Sequence, residues 1–228
     1  RFGVSPLVVQ RRLKLAALGR LTANIAHEIR NPLSAISQAA QLLGEDAQDA
    51  AQVRLTAIIE NNARRLDRLV EEVLTLNRRD RLNPAQFDAG SVGALIGELR
   101  QTEEMPADAV IVSMPDTLRF QFDPDHLRQI LWNLLRNAWR FSRRQAGSVR
   151  VEASTQGGQV CLDIADDGPG VAAENQGKLF EPFFTTDAQG TGLGLFLARE
   201  LAEANRATLR LLPAAGGACF RLCLQEAV

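Results

Sequence analysis

The sequence predicts two parts of different class, α followed by α/β: a long helical hairpin, then mixed helices and strands. Three observations carry this reading. Apolar or small residues recur at alternating spacings at Leu15, Leu18, Thr22, Ile25, Ile29, Pro32, Ile36, Ala39 and Leu43, filling the a and d positions of a heptad. The same alternation returns at Leu55, Ile59, Asn62, Leu66, Leu69, Val73 and Leu76. It stops at Arg78-Arg79-Asp80-Arg81-Leu82-Asn83-Pro84, after which strand-like runs and glycine-rich turns alternate with helices. The boundary is therefore expected between a part at 1–82 and a part at 83–228.

Ser5-Pro6 suits the opening of the first helix, with proline tolerated in the first turn. That helix is expected to reach about Leu43. Pro32 removes one helical N–H and crowds the carbonyl of Glu28. It either bends a continuous helix or starts a second one, and the unbroken heptad phase favours the bend. His27 falls at f, facing away from the seam. A neutral imidazole presented to solvent is a nucleophile at physiological pH. Glu28 is adjacent and can orient or deprotonate it, and Asn31, four residues on, shares its face and can position a water.

Residues 44–49 read as a short polar connection to the second helix. Two antiparallel helices with one apolar face cannot bury that face alone. Pairing two hairpins into a four-helix bundle does so and predicts a homodimer. The alternative is a single hairpin capped by another element. Asn62 is a polar seam residue suited to fixing register.

In the second part, Ser91 to about Gln101 reads as a helix capped by Ser91. Residues 110–112 and 118–122 read as short strands. Asp123-Pro124 is a helix start, with Asp as N-cap and Pro at the first helical position. The helix that follows puts Leu127, Ile130, Leu131, Leu134, Leu135, Ala138 and Phe141 on one side, and Asn133, Asn137 and Arg140 on another. Strands at 148–154 and 159–165 flank a Gly157-Gly158 turn. The second runs into Asp166-Asp167-Gly168-Pro169-Gly170, where a carboxylate at a strand end meets glycines that let the backbone approach a flat ligand. Phe180-Glu181-Pro182-Phe183-Phe184-Thr185-Thr186 and Gly190-Thr191-Gly192-Leu193-Gly194 follow. Glycines opening a helix expose N–H groups and the positive dipole end to phosphate. That helix reaches about Asn205, and strands near 208–212 and 218–224 close the chain.

The bulk properties are those of an ordinary globular protein: 228 residues, 46% hydrophobic, 23% charged, net charge −1. Near-zero charge gives no electrostatic reason to expect nucleic acid as a partner. Cys161, Cys219 and Cys223 have no companion His cluster and are expected as buried free thiols in a reducing compartment. No run reaches the length of a membrane span. Arg1 opens the chain, so sensor or membrane segments are expected upstream, with this chain as the cytoplasmic portion of a membrane-anchored bacterial sensor.

His27-Glu28-Ile29-Arg30-Asn31-Pro32-Leu33 resembles the H-box of the sensor histidine kinases of two-component systems, in the group with His-Glu-x-x-Asn. Asn133…Asn137, Asp166-x-Gly168-x-Gly170, Phe180-Glu181-Pro182-Phe183 and Gly190-x-Gly192-x-Gly194 resemble, in order, that family's N, G1, F and G2 boxes. The similarity covers about residues 13–226. It implies a dimerisation hairpin followed by a Bergerat-fold α/β sandwich, the ATPase fold shared with gyrase and MutL. It also implies ATP and Mg²⁺ as cofactors, a homodimer, and a response-regulator receiver domain as partner.

Carried over by that resemblance, His27 accepts the phosphoryl group, helped by Glu28, and Asn31 serves a phosphatase activity. Asp166 bonds the adenine amino group. Gly168 and Gly170 shape its pocket, and Asn133 and Asn137 lie at Mg²⁺ and the phosphates. Arg140 stands where relatives often carry a phosphate-binding Lys. Thr186, Gly190, Thr191, Gly192, Leu193 and Gly194 bound the lid, which Phe180, Phe183 and Phe184 anchor.

Asp187 departs from the pattern, since many relatives carry Lys after the Thr pair. The change removes a phosphate contact of about 1–3 kcal/mol. The short lid and the ending Glu200-Leu201-Ala202-Glu203-Ala204-Asn205 look most like the NtrB/PilS-type kinases, which act on sigma-54-dependent regulators.

Overall fold

The computed structural model describes residues 33, 34, 36–41, 43, 49–156, 158–187, 190–214 and 216–225. The chain divides into two compact units. One takes the chain up to Arg78 together with Thr185–Leu193, and the other takes Arg79–Phe184 and Gly194–Val228.

In the first unit, residues 33, 34, 36–41 and 43 are helical (α1), and α2 spans Ala50–Arg78. Both helices bury a stripe one residue beyond the expected seam. Leu33 and Ala40 are buried in α1, and Thr56, Ala63, Val70 and Leu74 in α2. The seam residues Ile36, Leu43, Leu55, Ile59 and Leu66 remain exposed, Leu55 by 60%. One residue is a turn of about 100° around a helix, so each helix carries two apolar stripes, and a single chain covers one of them.

The second unit opens with β1 (Ala85–Asp88), which pairs antiparallel with β3 (Arg119–Phe122) and stacks Phe87 on Phe120 at 5.5 Å. The sequence alone predicts no strand at β1. α3 runs Ala89–Thr102, and its cap is Asp88, not Ser91. Ser91 sits at the third helical position, and the two residues close a reciprocal box. Ser91 N–H donates to Asp88 Oδ1 at 2.8 Å, and Asp88 N–H donates to Ser91 Oγ at 2.8 Å.

β2 (Val110–Ser113), β4 (Val149–Gln156), β5 (Gln159–Asp166), β6 (Thr208–Leu212) and β7 (Cys219–Gln225) form one sheet ordered β2-β4-β5-β7-β6. β2 runs parallel to β4, and the other pairings are antiparallel. α4 (Pro124–Phe141) and α6 (Gly194–Ala204) cover one sheet face, and α5 (Ala173–Gln176) is a single short turn.

α4 starts at the expected signal: Asp123 caps it by accepting from His126 N–H, and Pro124 opens it. Its apolar stripe from Leu127 to Ala138 is buried against Leu162 and Ile164 of β5 and Leu197 and Leu201 of α6, within one core. Phe141 is the exception, because the helix ends there and the ring stays half in solvent.

The expectation of three free thiols is corrected. Cys161 and Cys223 face each other in the β5–β7 register and are joined by a disulfide, leaving Cys219 free. Both lie on the sheet face away from the helices, as does the next facing pair. There Arg221 donates to both carboxylate oxygens of Asp163 at 2.7 and 2.6 Å. Pairing needed the register, which Cys spacing along the chain does not contain.

Candidate nucleotide site

The site grows from the end of β5. Strand pairing carries Asp166 out of the sheet with its backbone N–H held by Ala218 O at 2.9 Å. Its carboxylate is buried, and Oδ1 accepts from Gly168 N–H at 2.9 Å and from Ala218 N–H at 3.2 Å. Burial pushes the Asp166 pKa up, and those two bonds oppose the shift. A buried acceptor at a strand end is suited to a flat donor-bearing ring.

The surrounding backbone closes on Asp166 so tightly that side chains are excluded. A Cβ on Gly168 would lie 2.2 Å from Phe141 O. Gly217 has φ +71, and a Cβ there would lie 1.7 Å from Asp166 O. Gly170 packs on the same residue from the other side, with Gly217 O 2.8 Å from its ideal Cβ position. Gly217 and Ala218 are thus parts of the Asp166 cradle that the sequence reading did not assign. The Gly216-Gly217 pair ahead of the last strand was the available signal. Asp167, next to Asp166, points elsewhere. It accepts from Arg143 N–H at 2.9 Å and Ser148 Oγ–H at 3.0 Å, and the Arg143 bond draws its pKa down.

α4 supplies the polar wall. Asn133 is 0% exposed, and neither its Oδ1 nor its Nδ2 has a hydrogen-bond partner. A buried, unpaired carboxamide costs about 1–3 kcal/mol, a cost that a bound polar group would offset. Gly194, the first residue of α6, is the neighbour: a Cβ on it would come 3.1 Å from Asn133 Oδ1. The carboxamide and the positive end of α6 therefore meet. Asn137 and Arg140 follow on the same α4 face, both half-buried. Among the described residues no cluster of His, Cys, Asp or Glu could hold a metal alone. Asn133 and Asn137 offer two carboxamide oxygens, a set that would suit Mg²⁺, an ion that takes few protein ligands.

Phe180 anchors its segment, packing edge-on against Phe220 of β7 at 6.2 Å and lying under the Arg199 guanidinium at 5.1 Å. Phe183, expected to anchor as well, is instead 60% exposed, with φ +66. In the other unit, Thr185 and Asp187 close a small turn: Asp187 N–H donates to Thr185 Oγ1 at 3.1 Å, and Gly190 N–H to Asp187 O at 3.0 Å. Thr186 lies in that turn. Thr191 Oγ1 accepts from Leu193 N–H at 3.3 Å, with Gly192 at positive φ between them. His27, Glu28 and Asn31 lie outside the described residues.

Comparison with known proteins agrees with this layout. Residues 17–82 match the His Kinase A (phospho-acceptor) domain. Residues 122–228 match the Histidine kinase-, DNA gyrase B-, and HSP90-like ATPase family. Sensor protein kinase PilS of Pseudomonas aeruginosa is 43% identical over 222 residues, covering 92% of this chain and 41% of that protein. Sensor histidine kinase ZraS of Escherichia coli is 36% identical, covering 95% of this chain and 47% of that protein. The chain thus spans about half the length of these relatives. Full-length ShkA in complex with AMPPNP superposes with TM-score 0.69 at 28% identity, over 92% of this chain and 46% of that one. The histidine kinase AdeS of Acinetobacter baumannii matches in fold, with TM-score 0.62 at 24% identity, over 89% and 98%.

A helical part followed by an α/β nucleotide-binding sandwich is the make-up of a phosphotransfer ATPase. The chain belongs to the sensor histidine kinases of two-component systems.

Proposed function

We propose that this chain is the catalytic core that autophosphorylates His27 from Mg-ATP and passes the phosphoryl group to an Asp of a response-regulator receiver domain. Residues 1–82 serve as dimerisation and phosphotransfer hairpin, and 83–228 as the ATP-binding catalytic domain. The observation that carries this reading is the Asn133 carboxamide, buried and unpaired beside the start of α6, on the same domain as the Asp166 cradle. Together they suit the two ends of a nucleotide, base at Asp166 and phosphates at Asn133. The His27-Glu28-x-x-Asn31 sequence supplies an acceptor.

In the reaction, a ring nitrogen of His27 attacks the γ-phosphorus, the bond from that phosphorus to the bridging oxygen breaks, and ADP leaves. Glu28 takes the imidazole proton or holds the ring for attack. Asn133 and Asn137 would hold Mg²⁺, which neutralises charge on the phosphates. Arg140 adds a cation from the same helix face. The family pattern assigns Thr186, Gly190, Thr191, Gly192, Leu193 and Gly194 to the phosphate end. Asn31 orients a water for dephosphorylation of the regulator.

The exposed seam stripe on both helices supports a homodimer. The motif resemblance to the NtrB/PilS-type kinases motivates a sigma-54-type transcriptional regulator as target and a membrane anchor elsewhere in the protein.

Incubation with γ-labelled Mg-ATP tests the reading. The expected label is acid-labile, alkali-stable and absent from His27→Ala. Full labelling of His27→Ala would overturn the assignment of the acceptor, and an Asn31→Ala variant with unchanged dephosphorylation would remove the phosphatase role.

A further inference from the structure

We propose that Arg136 is a phosphate-chain cation of the nucleotide site, positioned by Trp132 and Glu103. The inference rests on the nucleotide reading of that site. Arg136 falls between Asn133 and Asn137 on α4, and positions 133, 136, 137 and 140 share one helix face. The common point is Gly194. A Cβ there would lie 3.1 Å from Asn133 Oδ1 and 3.5 Å from Arg136 Nη2. The guanidinium therefore stands beside the buried, unpaired carboxamide and the first residue of an eleven-residue helix. A guanidinium and the positive end of a helix dipole both favour an anion at the same spot.

The guanidinium is also pre-oriented. It lies over the Trp132 ring, 4.3 Å from the centroid. Trp132 is itself fixed from the residue that caps the end of α3, its Nε1–H donating to Glu103 Oε1 at 2.5 Å. Stacking engages the face of a guanidinium, whereas phosphate is bound by its edge, so the two contacts are compatible on one side chain. A planar, pre-set fork loses less entropy on binding phosphate than a flexible ammonium does. Trp132 and Glu103 act through Arg136 and are positioning residues.

The test compares ATP with adenosine, which shares the base and ribose and lacks the phosphates. Both are measured by displacement of a fluorescent ATP analogue from the chain and from Arg136→Gln, Arg136→Lys and Trp132→Leu. The expected result is a ten- to hundredfold loss of ATP affinity in Arg136→Gln, about the worth of a charged hydrogen bond, with adenosine affinity unchanged. Arg136→Lys keeps the charge without the fork and falls between. Trp132→Leu shows a smaller loss of the same kind. Equal loss of ATP and adenosine in Arg136→Gln would reveal a packing role and overturn the proposal. Unchanged ATP affinity, with the parent binding both ligands, overturns this proposal alone. A parent that binds neither ligand overturns the nucleotide reading and this inference with it.

Discussion

At the scale of single residues, the site sets chemistry against stability. Asp166 is a carboxylate held where burial disfavours its charge, and its pKa is raised accordingly. A carboxyl group with a raised folded-state pKa weakens folding once the pH passes its unfolded value of about 3.9. Asp166→Asn keeps an oxygen to accept from Gly168 and Ala218 and removes the charge. The variant is expected to melt at or above the parent temperature at neutral pH while losing at least tenfold in ATP affinity, read by differential scanning and by nucleotide titration. The place of Asp166 at a strand end among close-packed glycines was legible because a strand-like run leads directly into Asp166-Asp167-Gly168-Pro169-Gly170. Gly217 was not, because its role depends on contact with the Asp166 backbone carbonyl, far back in the chain, and that contact exists only after β5 pairs with β7.

Elements are joined in this protein by short polar networks. The best formed ties the start of α4 to the end of α6. Asn205 Nδ2 contacts His126 Nδ1 at 2.9 Å and donates to Leu201 O at 2.8 Å, while its Oδ1 accepts from Asp123 N–H at 3.1 Å. Asp123 also accepts from Asn83 N–H at 2.7 Å, bringing in the segment before β1. As Asn205 Nδ2 is a donor, His126 Nδ1 acts as acceptor and the ring is neutral. Burial lowers its pKa, opposed by the charges of Asp123 and Asp125.

The unfolded chain then takes up the proton first. The stability from this ring is complete above pH of about 6.5 and is lost as pH falls from there towards the lowered value. Melting curves from pH 8 to 5 should show a decline in the parent that His126→Gln largely lacks. The Asp123-Pro124 start of α4 could be read directly, since both residues act locally. The cap of α3 was misread because Asp88 and Ser91 are both capping residue types and only geometry assigns their order. β1 was missed because Ala85-Gln86-Phe87-Asp88 holds one strong strand former and owes its pairing to β3.

On the scale of the whole molecule, the hairpin's heptads describe a surface that a single chain leaves open. The stripes buried in α1 and α2 lie one position on from Pro32, Ala39, Leu55, Asn62, Leu69 and Val73, while Ile36, Leu43, Ile59 and Leu66 stay exposed, so the periodicity was legible and its division between two faces was not. Replacing Ile59 and Leu66 together with Glu is expected to convert a dimer into monomers by sedimentation equilibrium, leaving ATP affinity within twofold.

Asn133 has a thermodynamic consequence for the whole fold. On the proposed role of Asn133, bound nucleotide would satisfy this unpaired carboxamide, and the folded population is expected to rise with nucleotide. At a hundredfold excess over Kd, ligand adds about 2.7 kcal/mol to folding. Asn133→Leu should raise the apo melting temperature and abolish the further rise with Mg-ATP. On that proposal, ATP would work as a folding chaperone for the domain that binds it.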